Sequence, residues 1–164
     1  MPIMDIRPAT DADWAGIWPI WHQVVAAGET YTWPPNTGEA AARALWMLPP
    51  PAEVWVAAED GTIAGTAILK PNQPGLGDHV ANAGFMVDTA VAGRGVGRRL
   101  AERVIRRAAE VGYHGMQFNA VVSTNTRAIG LWRSLGFDIV GTVPGAFRHA
   151  VHGPVDLHIM YREL

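Results

Sequence analysis

The chain has 164 residues, 49% of them apolar, a net charge of −2 and no cysteine. That length supports one domain spanning 1–164 with a sizeable core, and the apolar share excludes disorder. The charge balance gives no pull toward nucleic acid and no apolar run is long enough to span a bilayer. The missing thiols exclude disulfides, thiolate metal sites and a cysteine nucleophile, which fits a cytoplasmic protein.

Taken in order, Ile3 to Arg7 reads as a short strand stopped by Pro8. Thr10 can cap a helix, with Asp11 and Asp13 favouring its positive end. Trp14, Ile17, Trp18, Trp21, Val24 and Val25 recur at helical spacing, and Pro19 inside that run is expected to kink or split it. Gly28 to Pro35 is a loop carrying Tyr31, Trp33 and the carboxylate of Glu29, either a pocket wall or apolar side chains folded on the core. Glu39 to Leu48 is a second short helix ended by three prolines. Val54–Ala58 and Thr62–Leu69 flank Asp60-Gly61, a hairpin signal, and should pair antiparallel.

Val80 to Val87 leads into a turn with Gly93, Gly95 and Gly97, and a helix follows with Val96, Leu100, Val104, Ala108 and Val111 on one stripe. Arginines crowd its other faces, consistent with a solvated surface supported by a Glu102–Arg106 pair. Missing Cβ atoms let the turn approach a ligand, and the helix directs free N–H groups into it, so an anion such as a pyrophosphate fits. The plain alternative is a tight strand-to-helix connection. A P-loop is excluded because Arg98 and Arg99 follow Gly97, and a dinucleotide fingerprint because Leu100 stands where its third glycine belongs.

Met116–Val122 is the next strand, Ser123-Thr124-Asn125 starts a helix with Ala128, Leu131, Trp132 and Leu135 inward, and Phe137–Val143 is a strand. Pro144–Pro154 reads as a loop and Val155–Tyr161 as the last strand. Antiparallel pairs with later helices as crossovers argue a mixed α+β sheet rather than a doubly wound one.

At Gly93 to Gly97, Asn125-x-x-Ala128-x-x-Leu131-Trp132 and Leu135-Gly136-Phe137, the chain resembles the GNAT superfamily of acetyl-CoA-dependent N-acetyltransferases. The resemblance implies a mostly antiparallel sheet of about seven strands, splayed in the middle and flanked by about four helices. It implies acetyl-CoA as acyl donor, and a homodimer as a common habit. Backbone groups of Phe85, Met86 and Val87 would pair with the pantetheine arm. The amides of Gly93, Arg94, Gly95, Val96, Gly97 and Arg98 would hold the pyrophosphate. Asn125, Ala128, Leu131 and Trp132 complete the implied cofactor site. Two positions depart from the pattern. Ala92 replaces an Arg or Gln, and Trp132 stands where many members have a tyrosine that protonates the leaving thiolate. Tyr161 or solvent would then supply that proton.

From Gly115 to Tyr161 the chain is similar to members that acetylate proline analogues such as azetidine-2-carboxylate. That similarity implies Asn82 and Asn119 near the acceptor, positioning it or stabilising an oxyanion; each can instead satisfy a bulge or backbone group. Glu29 leads the candidate bases over His114, His149, His152 and His158. Arg148, Asn82 or His149 would meet an acceptor carboxylate. The expected activity is acetyl transfer to the amine of a small amino or imino acid. A protein or peptide N-acetyltransferase and a non-catalytic acetyl-CoA-binding module are the rivals.

Overall fold

The computed structural model describes residues 3–164, leaving Met1 and Pro2 of the expected domain outside the described residues. Among the described residues, seven strands and four α-helices follow one another: β1 Met4–Pro8, α1 Trp14–Ala26, α2 Glu39–Trp46, β2 Glu53–Glu59, β3 Thr62–Pro71, β4 Val80–Val87, α3 Val96–Glu110, β5 Gly115–Val122, α4 Thr126–Ser134, β6 Asp138–His149 and β7 Gly153–Glu163. They form one sheet ordered β1-β2-β3-β4-β5-β7-β6. Every pairing is antiparallel except β4 with β5.

Two cores lie on the two faces of this sheet. One gathers Leu100, Val104, Ala108, Met116, Phe137 and Met160 under α3 and α4. The other gathers Trp14, Ile17, Trp21, Val25, Trp46 and Met86 under α1 and α2. The α3 stripe buries Val96, Leu100, Val104 and Ala108, whereas Val111, at the helix C-cap, is 44% exposed. Among the arginines of α3, Arg98 takes Glu102 at 3.6 Å, so the expected Glu102–Arg106 pair is not formed. Arg107 reaches Glu53 at 3.0 Å, and Arg103 lies 4.7 Å over the Trp55 ring.

Two expectations change. Helix α1 is not split at Pro19 and continues to Ala26. Inside the helix Pro19 withholds one backbone hydrogen bond from the preceding turn, and stacking of Trp14 on Trp18 and Trp18 on Trp21, each at 6.1 Å, holds the turns that flank it. The stretch 144–154 is not a loop. β6 continues to His149, and only residues 150–152 turn. Register shifts between Val143 and Phe147, where Gly145 adopts φ 60° and its N–H donates to Asp156 Oδ1 at 2.9 Å. A bulge inside a hairpin carries the Gly and Pro that mimic a loop in sequence.

The feature that positions the site is the single parallel junction. β4 and β5 pair only at Val80–Gly115 and Ala81–Met116. Beyond that point the strands part.

Candidate active site

The fork is closed at its base by Asn82, whose Nδ2 donates to Gln117 O across the gap at 2.9 Å. Antiparallel strands alternate the direction of their backbone groups. Asp88 N donates to Ala64 O, so by alternation Met86, Gly84 and Asn82 turn their peptide groups toward β3. Phe85 and Val87 therefore face the gap, and Met86, expected to join them, does not.

Phe85 is already engaged. The Tyr31 hydroxyl accepts from Phe85 N at 2.9 Å and donates to Phe85 O at 3.0 Å, as a neighbouring strand would. Burial pushes the Tyr31 phenol far above its ordinary range, so it stays a neutral donor and acceptor. Gly84 makes this approach possible, because a Cβ there would lie 3.1 Å from the hydroxyl. Tyr31 stacks on Trp33 at 5.2 Å, and Trp33 stacks on Trp21 at 5.3 Å. The loop after α1 is thus a pocket wall, and it is folded on the core as well.

That wall, β3, β4 and β5 enclose a cavity of 430 Å³ that includes Tyr31, Trp46, Lys70, Asn82, Asn119 and Trp132 in its lining. Asn119 sits where β5 shifts register against β7, between Phe118 and Val121. Its Oδ1 accepts from Gln117 Nε2 at 2.9 Å and its Nδ2 donates to Asn72 Oδ1 at 2.7 Å. A bulge re-aims a side chain, so the bulge and the cavity wall are one feature.

A groove of 430 Å³ lies beyond, along the glycine turn and the start of α4. It shares Phe85, Val87, Asn125, Ala128 and Trp132 with the cavity, so the two spaces adjoin. Gly93 and Gly95 hold φ of 84° and 82°, the left-handed conformation that the turn needs. Among the described residues, the N–H groups of Gly93, Gly95, Val96, Gly97 and Arg98 have no backbone acceptor. Arg94 is the exception: its N–H goes to Val91 O at 3.3 Å and its guanidinium to Glu59 at 3.4 Å, outside the groove walls. The Arg98 guanidinium is tied to Ser134 Oγ at 2.7 Å, leaving its backbone to face the groove. Asn125 caps α4, accepting from Ala128 N at 3.3 Å, and Leu131 lines the groove one turn on.

Arg127 was not singled out from the sequence. Its Nη2 stands 3.3 Å from where a Gly93 Cβ would be, over the turn. Only the packing of the α4 start against the turn brings it there; nothing in its local spacing signals it. Lys70 was missed for a similar reason, since one lysine at the end of a strand reads as surface.

The expected bases lie elsewhere. Glu29 is exposed and outside the cavity wall. His114 borders a separate recess with His79 and Tyr161. His149 is buried at the end of β6, with Nδ1 accepting from Val151 N and His152 N of the turn. His152 is exposed in that turn, and His158 Nδ1 is 2.8 Å from Thr142 Oγ1. Neither Arg148 nor Tyr161 lines the cavity. Trp132 is buried against Phe85, Phe118 and Phe137.

The model of the acetyltransferase (GNAT) family matches residues 18–137. The chain is 51% identical to a GCN5-related N-acetyltransferase from Kribbella flavida, whose structure aligns with a TM-score of 0.94 over 98% of each chain. It is 28% identical to an acetyltransferase from Salmonella typhimurium solved with acetyl-CoA, at a TM-score of 0.84 over 99% of this chain and 94% of that one. N-acetyltransferase aca1 of Schizosaccharomyces pombe is 36% identical over 99 residues, 60% of this chain. Those residues are 47% of aca1, so the match spans about half of that relative's length. A forked sheet, a turn of unpaired amides and a family match across most of the chain lead to one conclusion: the chain belongs to the GNAT acetyltransferase family, whose acyl donor is acetyl-CoA.

Proposed function

We propose that this chain is a single-domain N-acetyltransferase that moves the acetyl group of acetyl-CoA to the amine of a small amino or imino acid of the proline-analogue type, by direct attack. The observation that carries the reading is the aromatic-walled cavity with two strand asparagines, adjoining the cofactor groove through shared walls. Its volume suits a small molecule. The loop bearing Tyr31 and Trp33 closes one side, which disfavours the open groove that a protein acceptor needs.

The residues present fit acetyl-CoA. The amides of Gly93, Gly95, Val96, Gly97 and Arg98 would hold its pyrophosphate with Arg127 above them, and Val87 and Asn125 would meet the pantetheine arm. The bound thioester supplies the acyl group. Asn82 gives one Nδ2 hydrogen to Gln117 O, a bond that fixes its amide with Oδ1 available to accept from the acceptor N–H and orient its lone pair. Asn119 keeps a second Nδ2 hydrogen for the acceptor or the developing oxyanion. Among the described residues, no carboxylate or imidazole lines the cavity, so water takes the ammonium proton. The Trp132 indole is no acid. A thiol of pKa about 8.5 leaves as thiolate without one. A homodimer in the cytoplasm belongs to the same reading. Exposed Val140 and Val143 on the edge strand β6 support the former, and the cysteine-free composition the latter.

Thiol release with a panel of free amino acids, imino acids and peptides tests this. The free acids should turn over, with kcat/KM rising with pH to a plateau at the acceptor's own ammonium pKa and moving when the acceptor is changed. Glu29→Gln should stay within about twofold. Asn119→Ala should lower kcat about 100-fold with the acetyl-CoA KM unchanged. Turnover of peptides alone would transfer the assignment to a protein acceptor.

A further inference from the structure

Lys70 is the only lysine in the chain, which otherwise uses arginine for its permanent positive charges. Among the described residues it is also the only cationic one lining the 430 Å³ cavity, whose lining includes no Asp or Glu. Lys70 lies opposite Asn82 in the β3–β4 ladder, so the two side chains share one face of the sheet. Asn119, hydrogen-bonded to Asn72, lines the same cavity. Lys70 is half-buried and, among the described residues, forms no ion pair.

We infer that Lys70 binds an anionic group on the acceptor, a free carboxylate next to the reacting amine, and that this charge selects amino and imino acids over neutral or polycationic amines. The inference rests on the proposed acetyl transfer to a small amine and names the residue that sets its acceptor class.

Three arguments carry it. A cation partly removed from water and given no protein partner is electrostatically incomplete. The carboxylate of a bound acceptor completes it, whereas an acceptor bearing only an ammonium group is repelled. A lysine ammonium is a compact point charge with three rotatable donors. It can follow a small carboxylate within the cavity that Asn82 and Asn119 also line, without the fixed fork that arginine imposes. Finally, the same positive charge disfavours the protonated form of an amine held beside it. In a cavity without a side-chain base, that charge raises the fraction of neutral nucleophile, and the proton goes to water.

The test compares matched pairs that differ only in charge: N-acetyl-L-proline, N-acetyl-L-alanine and N-acetyl-L-methionine, each against its carboxamide. Binding is read by quenching of the cavity tryptophans and by calorimetry, so the result does not depend on turnover. In the wild-type protein at least one acid should bind about tenfold tighter than its amide, as a charge-assisted hydrogen bond provides. Lys70→Met should erase the preference without changing acetyl-CoA affinity, Lys70→Glu should invert it, and Lys70→Arg should restore part of it. Because Lys70 is the sole lysine, reductive 13C-methylation places one side-chain reporter in the cavity, apart from the terminal amine. Its resonance should move with the acids and not with the amides. No acid–amide difference in the wild type, a preference that survives Lys70→Met, or a silent reporter would overturn the assignment. If the preference is present but no free amine supports thiol release, the acceptor-class assignment stands and the acetyl-transfer reading fails.

Discussion

Single side chains decide how the fork is lined. Tyr31 is the sharpest case, because one hydroxyl satisfies both peptide groups of Phe85 where a ligand strand is expected. Tyr31→Phe leaves those groups to water, at about 1 kcal/mol. For a chain of this size that lowers Tm by about 2–4 °C. Calorimetry should also show a larger thermal shift from acetyl-CoA in the variant, since the freed Phe85 groups become available to the pantetheine arm; an equal shift would mean that the hydroxyl does not compete. Asn82 and Asn119 were legible because asparagine is out of place in a strand, and that anomaly marked both. Lys70 and Arg127 carry no such anomaly. Their meaning depends on what covers them.

At the scale of elements, the glycine turn takes the left-handed shape its spacing predicts and leaves its amides unpaired beside the groove. Gly95 is the residue before α3, in the left-handed conformation, with open space where a Cβ would stand. Gly95→Glu adds backbone strain of about 1–2 kcal/mol and a negative charge beside unpaired amides. Acetyl-CoA binding should be lost by calorimetry while far-ultraviolet dichroism stays unchanged. Retained affinity would remove the pyrophosphate assignment. A second element-scale contact ties the start of α1 to β1. Asp13 accepts from Arg7 at 2.8 and 2.9 Å and from Thr10 N at 2.7 Å. The Arg7 hydrogen bond is the largest influence holding its carboxyl down at about 2. A depressed carboxylate stabilises the fold fully above its ordinary range, and the contribution is lost as pH falls through the folded value. Denaturation titrations from pH 6 to 2 should show stability falling below about pH 4, and Asp13→Asn should flatten that slope. The elements misread from sequence have one cause. Gly145 and Pro144 break a strand only where no bulge absorbs them, and Pro19 breaks a helix only where tryptophan stacking does not hold the turns around it.

Across the whole molecule, the chemistry follows from a sheet that pairs in parallel at two residue pairs and then opens. Hydrophobic periodicity, the Asp60-Gly61 hairpin and the glycine turn determined the order and type of nearly every element, because each is a local property with a period or a turn residue behind it. The same local chemistry marked the glycine turn that borders the groove and the two asparagines that line the cavity. Which side chains meet in the fork was decided only by the tertiary structure. Cavity lining depends on strand register, on the loop of Tyr31 folding over β4 and on α4 docking beside the glycine turn, all of them contacts between residues distant in sequence. That is why Glu29 and the histidines, plausible by residue type, stand outside the cavity, and why an isolated lysine stands within it.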